Sequence, residues 1–156
     1  MAVVTRSFDG YAPGMDVGSL RRIVADAVSD RNEILAVFVF GSASEGRMHA
    51  RSDIDLGLLL AESASPERCF EISLEVGARI ETKVGRRVQM IVLNRAHPSL
   101  AFRALRGRRL LDRDPVARSL FTMRTISRYH DYRRFLRRHV PAMEARALEG
   151  RFGTTR

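Results

Sequence analysis

Two apolar runs dominate the hydrophobic pattern of the chain. The first, Ile34 to Phe40, has seven consecutive apolar residues, and the second, Ile54 to Leu60, is interrupted only by Asp55 and Gly57. A run of this length is too short for a helix standing alone, and it predicts a strand buried on both faces. We therefore expect two strands at the centre of the fold.

Apolar positions at three- and four-residue spacing predict a helix on each side of these strands. The first helix starts near Asp16, and its apolar face consists of Leu20, Ile23, Val24, Ala27 and Val28. The second has a capping serine and first-turn proline at Ser65 and Pro66, and a glycine stop at Gly85. Its predicted buried stripe is Cys69, Ser73, Val76, Ile80 and Val84.

Shorter elements follow in the second half. We expect a largely buried strand over residues 87–93, a short helix over 98–105 and a brief strand over 109–111. Asp114 then opens a long C-terminal helix, which Pro141 is expected to kink or divide. The alternation of strands and helices predicts an α/β protein.

Length and composition indicate a single domain. The chain has 156 residues, of which 45% are hydrophobic and 29% charged, as in soluble globular proteins. No apolar run approaches the roughly 20 residues needed to span a bilayer, and the N-terminus lacks a signal-peptide pattern. The lone Cys69 fits a reducing compartment. We therefore expect a cytoplasmic protein without membrane contact.

Charge is divided unevenly between the two halves. Residues 1–85 carry nine Lys or Arg against thirteen Asp or Glu, net −4, whereas residues 86–156 carry eighteen against five, net +13. Twenty-six of the twenty-seven cations are Arg, which points to genome composition rather than to selection at particular sites. The basic half is either a binding face for an acidic partner or a solvated surface.

Candidate chemistry lies at the end of the first strand and the start of the second. Gly41 permits a backbone conformation closed to other residues, and Ser42 with Glu45 has the spacing of a helix capping box. A helix starting at Ser42 would offer free N–H groups to a phosphate.

Asp53 and Asp55 form the second part of this candidate site. Alternate residues of a strand project to the same side, so the two carboxylates share one patch of the sheet. They repel each other unless a cation lies between them, and oxygen ligands favour a hard ion such as Mg²⁺. If the two strands are antiparallel neighbours, Ser42 meets Asp53; parallel strands would put them at opposite edges.

The spacing of these residues resembles a known family. Gly41 and Ser42, ten further residues, then Asp53 and Asp55 are similar to the signature of minimal nucleotidyltransferases, small members of the DNA polymerase β-like superfamily. Either motif alone is weakly informative, but both at this spacing, each beside an apolar strand, form a specific signal. The resemblance covers about residues 17–150.

This resemblance implies a fold, an activity and a partner. It implies an α/β (α+β) nucleotidyltransferase fold with a mixed sheet flanked by helices. The activity would be transfer of AMP from Mg²⁺-ATP to a hydroxyl, with Asp53 and Asp55 as catalytic metal ligands. Gly41, Ser42, Arg51 and Ser52 would bind the nucleotide. The acceptor would be a tyrosine of a HEPN toxin, which makes this chain an antitoxin.

We expect the chain to divide into three parts: an N-terminal arm over residues 1–16, a nucleotidyltransferase domain over 17–112, and a C-terminal helical extension over 113–150 that packs on the same domain.

Gln89 departs from the family pattern. The equivalent position in minimal nucleotidyltransferases usually holds a third carboxylate, which helps bind metal and deprotonate the attacking hydroxyl. The first alternative is therefore a nucleotide- or partner-binding protein with weakened catalysis. A second alternative is nucleic-acid binding by the basic half, which we rank last because 7% aromatic residues and no Trp leave little for stacking on bases.

One further spacing lies in the long helix. Arg124, His130 and Tyr132 are similar to a motif of HEPN ribonucleases. We interpret the match as coincidence, because that fold needs several long helices and a dimer, and because Arg-rich segments often match Arg-anchored patterns.

Overall fold

The computed structural model describes residues 17–41 and 53–148, the last eight of these as backbone alone. Predictions that fall on other residues, including the helix start at Ser42, lie outside the described part of the chain. The elements are α1 Val17–Ala27, β1 Ile34–Phe40, β2 Ile54–Leu60, α2 Pro66–Val84, β3 Val88–Val92, a 3-10 turn Leu93–Arg95, α3 Pro98–Leu105, β4 Arg108–Asp112 and α4 Pro115–Leu148.

The four strands form one mixed sheet in the order β3-β2-β1-β4. Strand β1 pairs antiparallel with both β2 and β4, whereas β2 and β3 run parallel. The two apolar runs thus occupy the two central strands, where each has a neighbour on both sides. The predicted fold class, a mixed sheet flanked by helices with a long C-terminal helix, is confirmed.

Helices cover both faces of the sheet. On one face, α1 and α2 bury a cluster of side chains that includes Leu20, Val24, Ile72, Val76 and Ile80. On the other, α3 and α4 pack over a smaller cluster that includes Ala36, Phe38, Phe40, Leu59 and Ala104. The central strands are continuous apolar runs because both of their faces are covered.

Local signals placed the helix ends correctly. The Ser65 hydroxyl accepts a hydrogen bond from the Arg68 N–H, and Gly85 ends α2 in the left-handed conformation with φ 65°. Asp114 begins α4 by accepting from the Ala117 N–H at 2.9 Å. Arg113, just before α4, donates a hydrogen bond of 2.9 Å to the carbonyl of Val28, which follows α1. None of the described helices is both long and apolar enough to cross a membrane.

Three predictions need correction or refinement. Strand β3 lies at the edge of the sheet, so only Val88 is buried and the expected largely buried strand is wrong. The buried stripe of α2 also includes Ile72 and Gly77, whereas Ser73 is not buried and Val84 is only partly buried against the same core cluster. Helix α4 continues through Pro141, which therefore does not divide it.

Candidate active site

Gly41 and Asp55 meet where β1 ends and β2 begins. The antiparallel register pairs Phe40 with Asp55 and so brings Gly41 next to this carboxylate. Gly41 has φ +74°, and a Cβ atom at this position would collide with the Asp55 carboxylate oxygen. Glycine is required here for two reasons, backbone conformation and space.

Asp53 and Asp55 lie close enough for their charges to interact. Asp53 is exposed at the start of β2, whereas Asp55 is half-buried. Burial raises the pKa of the Asp55 carboxyl above its usual value, and the Asp53 charge raises this pKa further. Burial is the main cause of this raised pKa and the Asp53 charge is the lesser one, so a cation bound beside the two carboxylates would favour the ionised form of Asp55.

Arg103 is a residue of this site that sequence reasoning missed. Its charge opposes the rise in the Asp55 pKa, and its guanidinium carbon lies 5.6 Å from the centre of the Phe40 ring. Gly107, just after α3, lets the chain pass close to β1, because a Cβ there would collide with the Val39 carbonyl. Nothing in the sequence marks Arg103, since nearly every cation of the chain is an arginine.

Gln89 is the register partner of Asp55. Strand β3 pairs Gln89 with Asp55 in parallel, and paired residues of a sheet project to the same face. Gln89 is exposed, at the open edge of the sheet. The amide thus stands beside the carboxylate pair, at the position where the family resemblance expects a third carboxylate.

The chemistry of these side chains fits a hard divalent cation. Asp53 and Asp55 offer carboxylate oxygens and Gln89 an amide oxygen, which are donors that Mg²⁺ prefers. Within residues 17–41 and 53–148, no three His, Cys, Asp or Glu side chains gather into a metal-binding group. Any cation held here would rest on the two aspartates, with an amide in third place.

Three further residues are predicted to bind the nucleotide. Ser42, Arg51 and Ser52 lie outside the described residues. The HEPN-like residues of α4 are described but make separate contacts: Arg124 pairs with Glu62, and the Tyr132 ring lies 4.4 Å from the His97 ring in an edge-on arrangement.

Several solved structures share this fold. A chain of a crystallised toxin–antitoxin complex with AMP-PNP superposes with a TM-score of 0.62 at 20% identity, over 80% of this chain and 96% of its own. A chain of the complex between a tri-AMPylated HEPN toxin of Shewanella oneidensis and an MNT antitoxin gives 0.60 at 17%, over 83% and 98%. A chain of the MntA-HepT toxin–antitoxin complex gives 0.57 at 16%, over 81% and 95%.

Sequence comparison identifies the family. A search of curated proteins found no match to this chain. The family model for polymerase beta nucleotidyltransferases matches residues 24–116, more than half of the chain. The match spans both central strands, Gly41 and the two aspartates. The chain belongs to the polymerase beta nucleotidyltransferase family.

Proposed function

We propose that this protein transfers AMP from ATP to a hydroxyl of a HEPN-type toxin and acts as its antitoxin. The observation that carries the proposal is the carboxylate pair Asp53 and Asp55 at one end of the sheet, where Asp55 lies against Gly41. Family membership supports nucleotidyl transfer. The neighbour described as a tri-AMPylated HEPN toxin with an MNT antitoxin supports the acceptor.

Asp53 and Asp55 are proposed to hold Mg²⁺, which supplies charge stabilisation to the triphosphate when it is bound. Gly41, Ser42, Arg51 and Ser52 remain the proposed nucleotide contacts. Arg103 lies on the same side of the sheet as Asp55 and adds a fixed positive charge there. Such positioning and charge compensation supply most of what phosphoryl chemistry requires.

The reaction balances as a displacement at the α-phosphorus of ATP. A bond forms from the acceptor oxygen to this phosphorus, the bond to the bridging oxygen breaks, and pyrophosphate leaves. The acceptor proton must pass to a base. Asp53 and Asp55 are assigned to the metal and the neighbouring Gln89 amide has no basic oxygen, so in the native chain this proton passes to solvent water.

The competing proposal is a protein that binds nucleotide or partner with weakened catalysis. The register of Gln89 beside Asp55 favours it, because the third member of the constellation is neutral. Both proposals require the same pocket and differ only in turnover.

The test measures binding and transfer together. Mg²⁺-ATP is expected to raise the melting temperature of the protein, and Asp53→Asn with Asp55→Asn should abolish the rise. Glu71→Gln with Asp131→Asn removes two exposed carboxylates elsewhere and serves as the control. Equal shifts in all three proteins would contradict the site.

Transfer is then measured with labelled ATP and a HEPN protein of the same genome, with retained adenylate read by mass spectrometry. Adenylated HEPN protein that depends on the two aspartates supports the enzyme. A melting shift without adenylate supports the binding protein instead.

A further inference from the structure

A polar cavity lies at the opposite end of β2 from the aspartates. Its volume is about 250 Å³, and its wall includes Ala61 and Glu62 just after β2. Ala61 lies six positions after Asp55, which corresponds to roughly 20 Å along an extended strand. The cavity is therefore separate from the candidate active site.

Three arginines line this cavity. Arg95 comes from the 3-10 turn, and Arg124 and Arg128 come from successive turns of α4. Arg124 pairs with Glu62, whose side chain is 72% exposed, so solvent screens the pair. Arg128 has no ion-pair partner among the described residues. The lining carries three positive charges against one negative charge.

Thr125 also lines the cavity. Thr125 is 4% exposed, and across residues 17–41 and 53–140 its hydroxyl makes no hydrogen bond. Thr122, one turn earlier, instead donates to the Arg118 carbonyl at 2.8 Å in the usual way for a helical threonine. Thr125 Oγ1 is not among the fully buried polar atoms of the described residues that lack a partner, so the hydroxyl keeps access to the cavity and can donate to a ligand there.

Asn94 joins one wall of the cavity to the end of β2. The Asn94 side chain exchanges two hydrogen bonds with the Leu60 backbone, each 2.9 Å long, and so extends the sheet by one position. This contact fixes the chain next to Arg95. Cys69, also at the cavity, is 4% exposed and belongs to the core under α2.

We propose that this cavity binds a small phosphate-bearing anion. Guanidinium groups form forked hydrogen bonds with phosphate oxygens, and a threonine hydroxyl adds a neutral donor. The high arginine content of the chain explains the residue type but not the gathering of three arginines around one concave wall that also holds Thr125. Glu62 competes with the anion for Arg124.

Calorimetry on the Asp53→Asn, Asp55→Asn protein tests the site without binding at the aspartates. The probes are pyrophosphate and ATP, each without Mg²⁺. Arg124→Gln with Arg128→Gln should weaken binding at least about tenfold, since two charge-assisted contacts are lost. Thr125→Val should weaken it several-fold. The control, Arg134→Gln with Arg137→Gln, removes the same charge from positions of α4 that do not line the cavity and should change affinity less than about twofold.

Glu62→Gln provides a gain that misfolding cannot imitate. It removes the competing carboxylate, so binding should become tighter. Tighter binding of pyrophosphate than of ATP would identify a free anion as ligand, and the reverse would identify a nucleotide phosphate. Absence of binding at millimolar probe, equal losses in the cavity and control variants, or no gain with Glu62→Gln would overturn the proposal.

Discussion

Asp55 and Gln89 are paired neighbours on the parallel strands β2 and β3, so a carboxylate and an amide stand side by side on one face of the sheet. Replacing Gln89 by Asp or Glu adds a base where the acceptor proton must go. General-base assistance contributes about 10²–10⁴ in rate. We expect weak AMP transfer by the native chain and stronger transfer by the variants, measured as retained adenylate on the HEPN protein.

The control for this prediction is Asp53→Asn, which should silence transfer in the native and Gln89→Asp backgrounds alike. Robust native transfer that the substitution does not improve would show that another carboxylate serves as base.

Gly41→Ala is expected to disrupt the candidate site, because the added methyl meets the Asp55 carboxylate. Gly85→Ala is a matched control: Gly85 also has a positive φ, 65°, but a Cβ added there would have no atom within 4 Å. The free energy of unfolding should fall by about 1–2 kcal/mol in both variants, because alanine is strained in the left-handed conformation. Only Gly41→Ala should also lose the Mg²⁺-ATP shift in melting temperature. A normal shift in Gly41→Ala would separate this glycine from the nucleotide pocket.

The arginines beyond the middle of α4 are predicted to contact an acidic partner surface. Arg133, Arg134, Arg137 and Arg138 are all exposed, and Arg133 lies 5.8 Å from the centre of the Tyr129 ring. Changing all four to Glu should weaken association with a co-expressed HEPN protein, most strongly at low salt. Unchanged capture at low and high salt would show that these arginines are only solvated. Tighter binding to nucleic acid than to the HEPN protein would favour the nucleic-acid alternative.

An ion pair between α2 and the start of β1 is predicted to make stability depend on pH. Hydrogen bonds from Arg68 hold the pKa of the Glu33 carboxyl below its usual value. Since the folded protein favours the ionised carboxylate, this contribution is present above the unfolded pKa and is lost as pH falls through the lowered value. Glu33→Gln should therefore reduce the melting temperature at neutral pH, and the difference from the native protein should shrink below about pH 4. A constant difference down to acid pH would contradict the linkage.

The sequence predicts the central strands and most helix ends because their signals are local. A run of seven apolar residues requires burial on both faces of a strand. Ser65 accepts a backbone hydrogen bond at the start of α2, and Gly85 adopts the left-handed conformation that ends this helix. The meeting of Gly41 with Asp55 depended on strand direction, which spacing alone left open. The edge position of β3 arises from the strand order, and the approach of Arg103 to Asp55 arises from the packing of α3. Neither is encoded in the periodicity of apolar residues along the sequence.

Helix α4 spans 34 residues, which corresponds to roughly 51 Å. From Arg133 to Val140 every residue except Leu136 is exposed. Because this segment makes little side-chain packing, its direction is determined mainly by the helical backbone. Each residue of an α-helix turns the chain by about 100°. One inserted residue before Arg133 would therefore swing the arginines to another side of the protein, whereas seven would nearly restore their direction about 10 Å farther out. The number of residues in α4 therefore determines the direction in which its far arginines project from the protein.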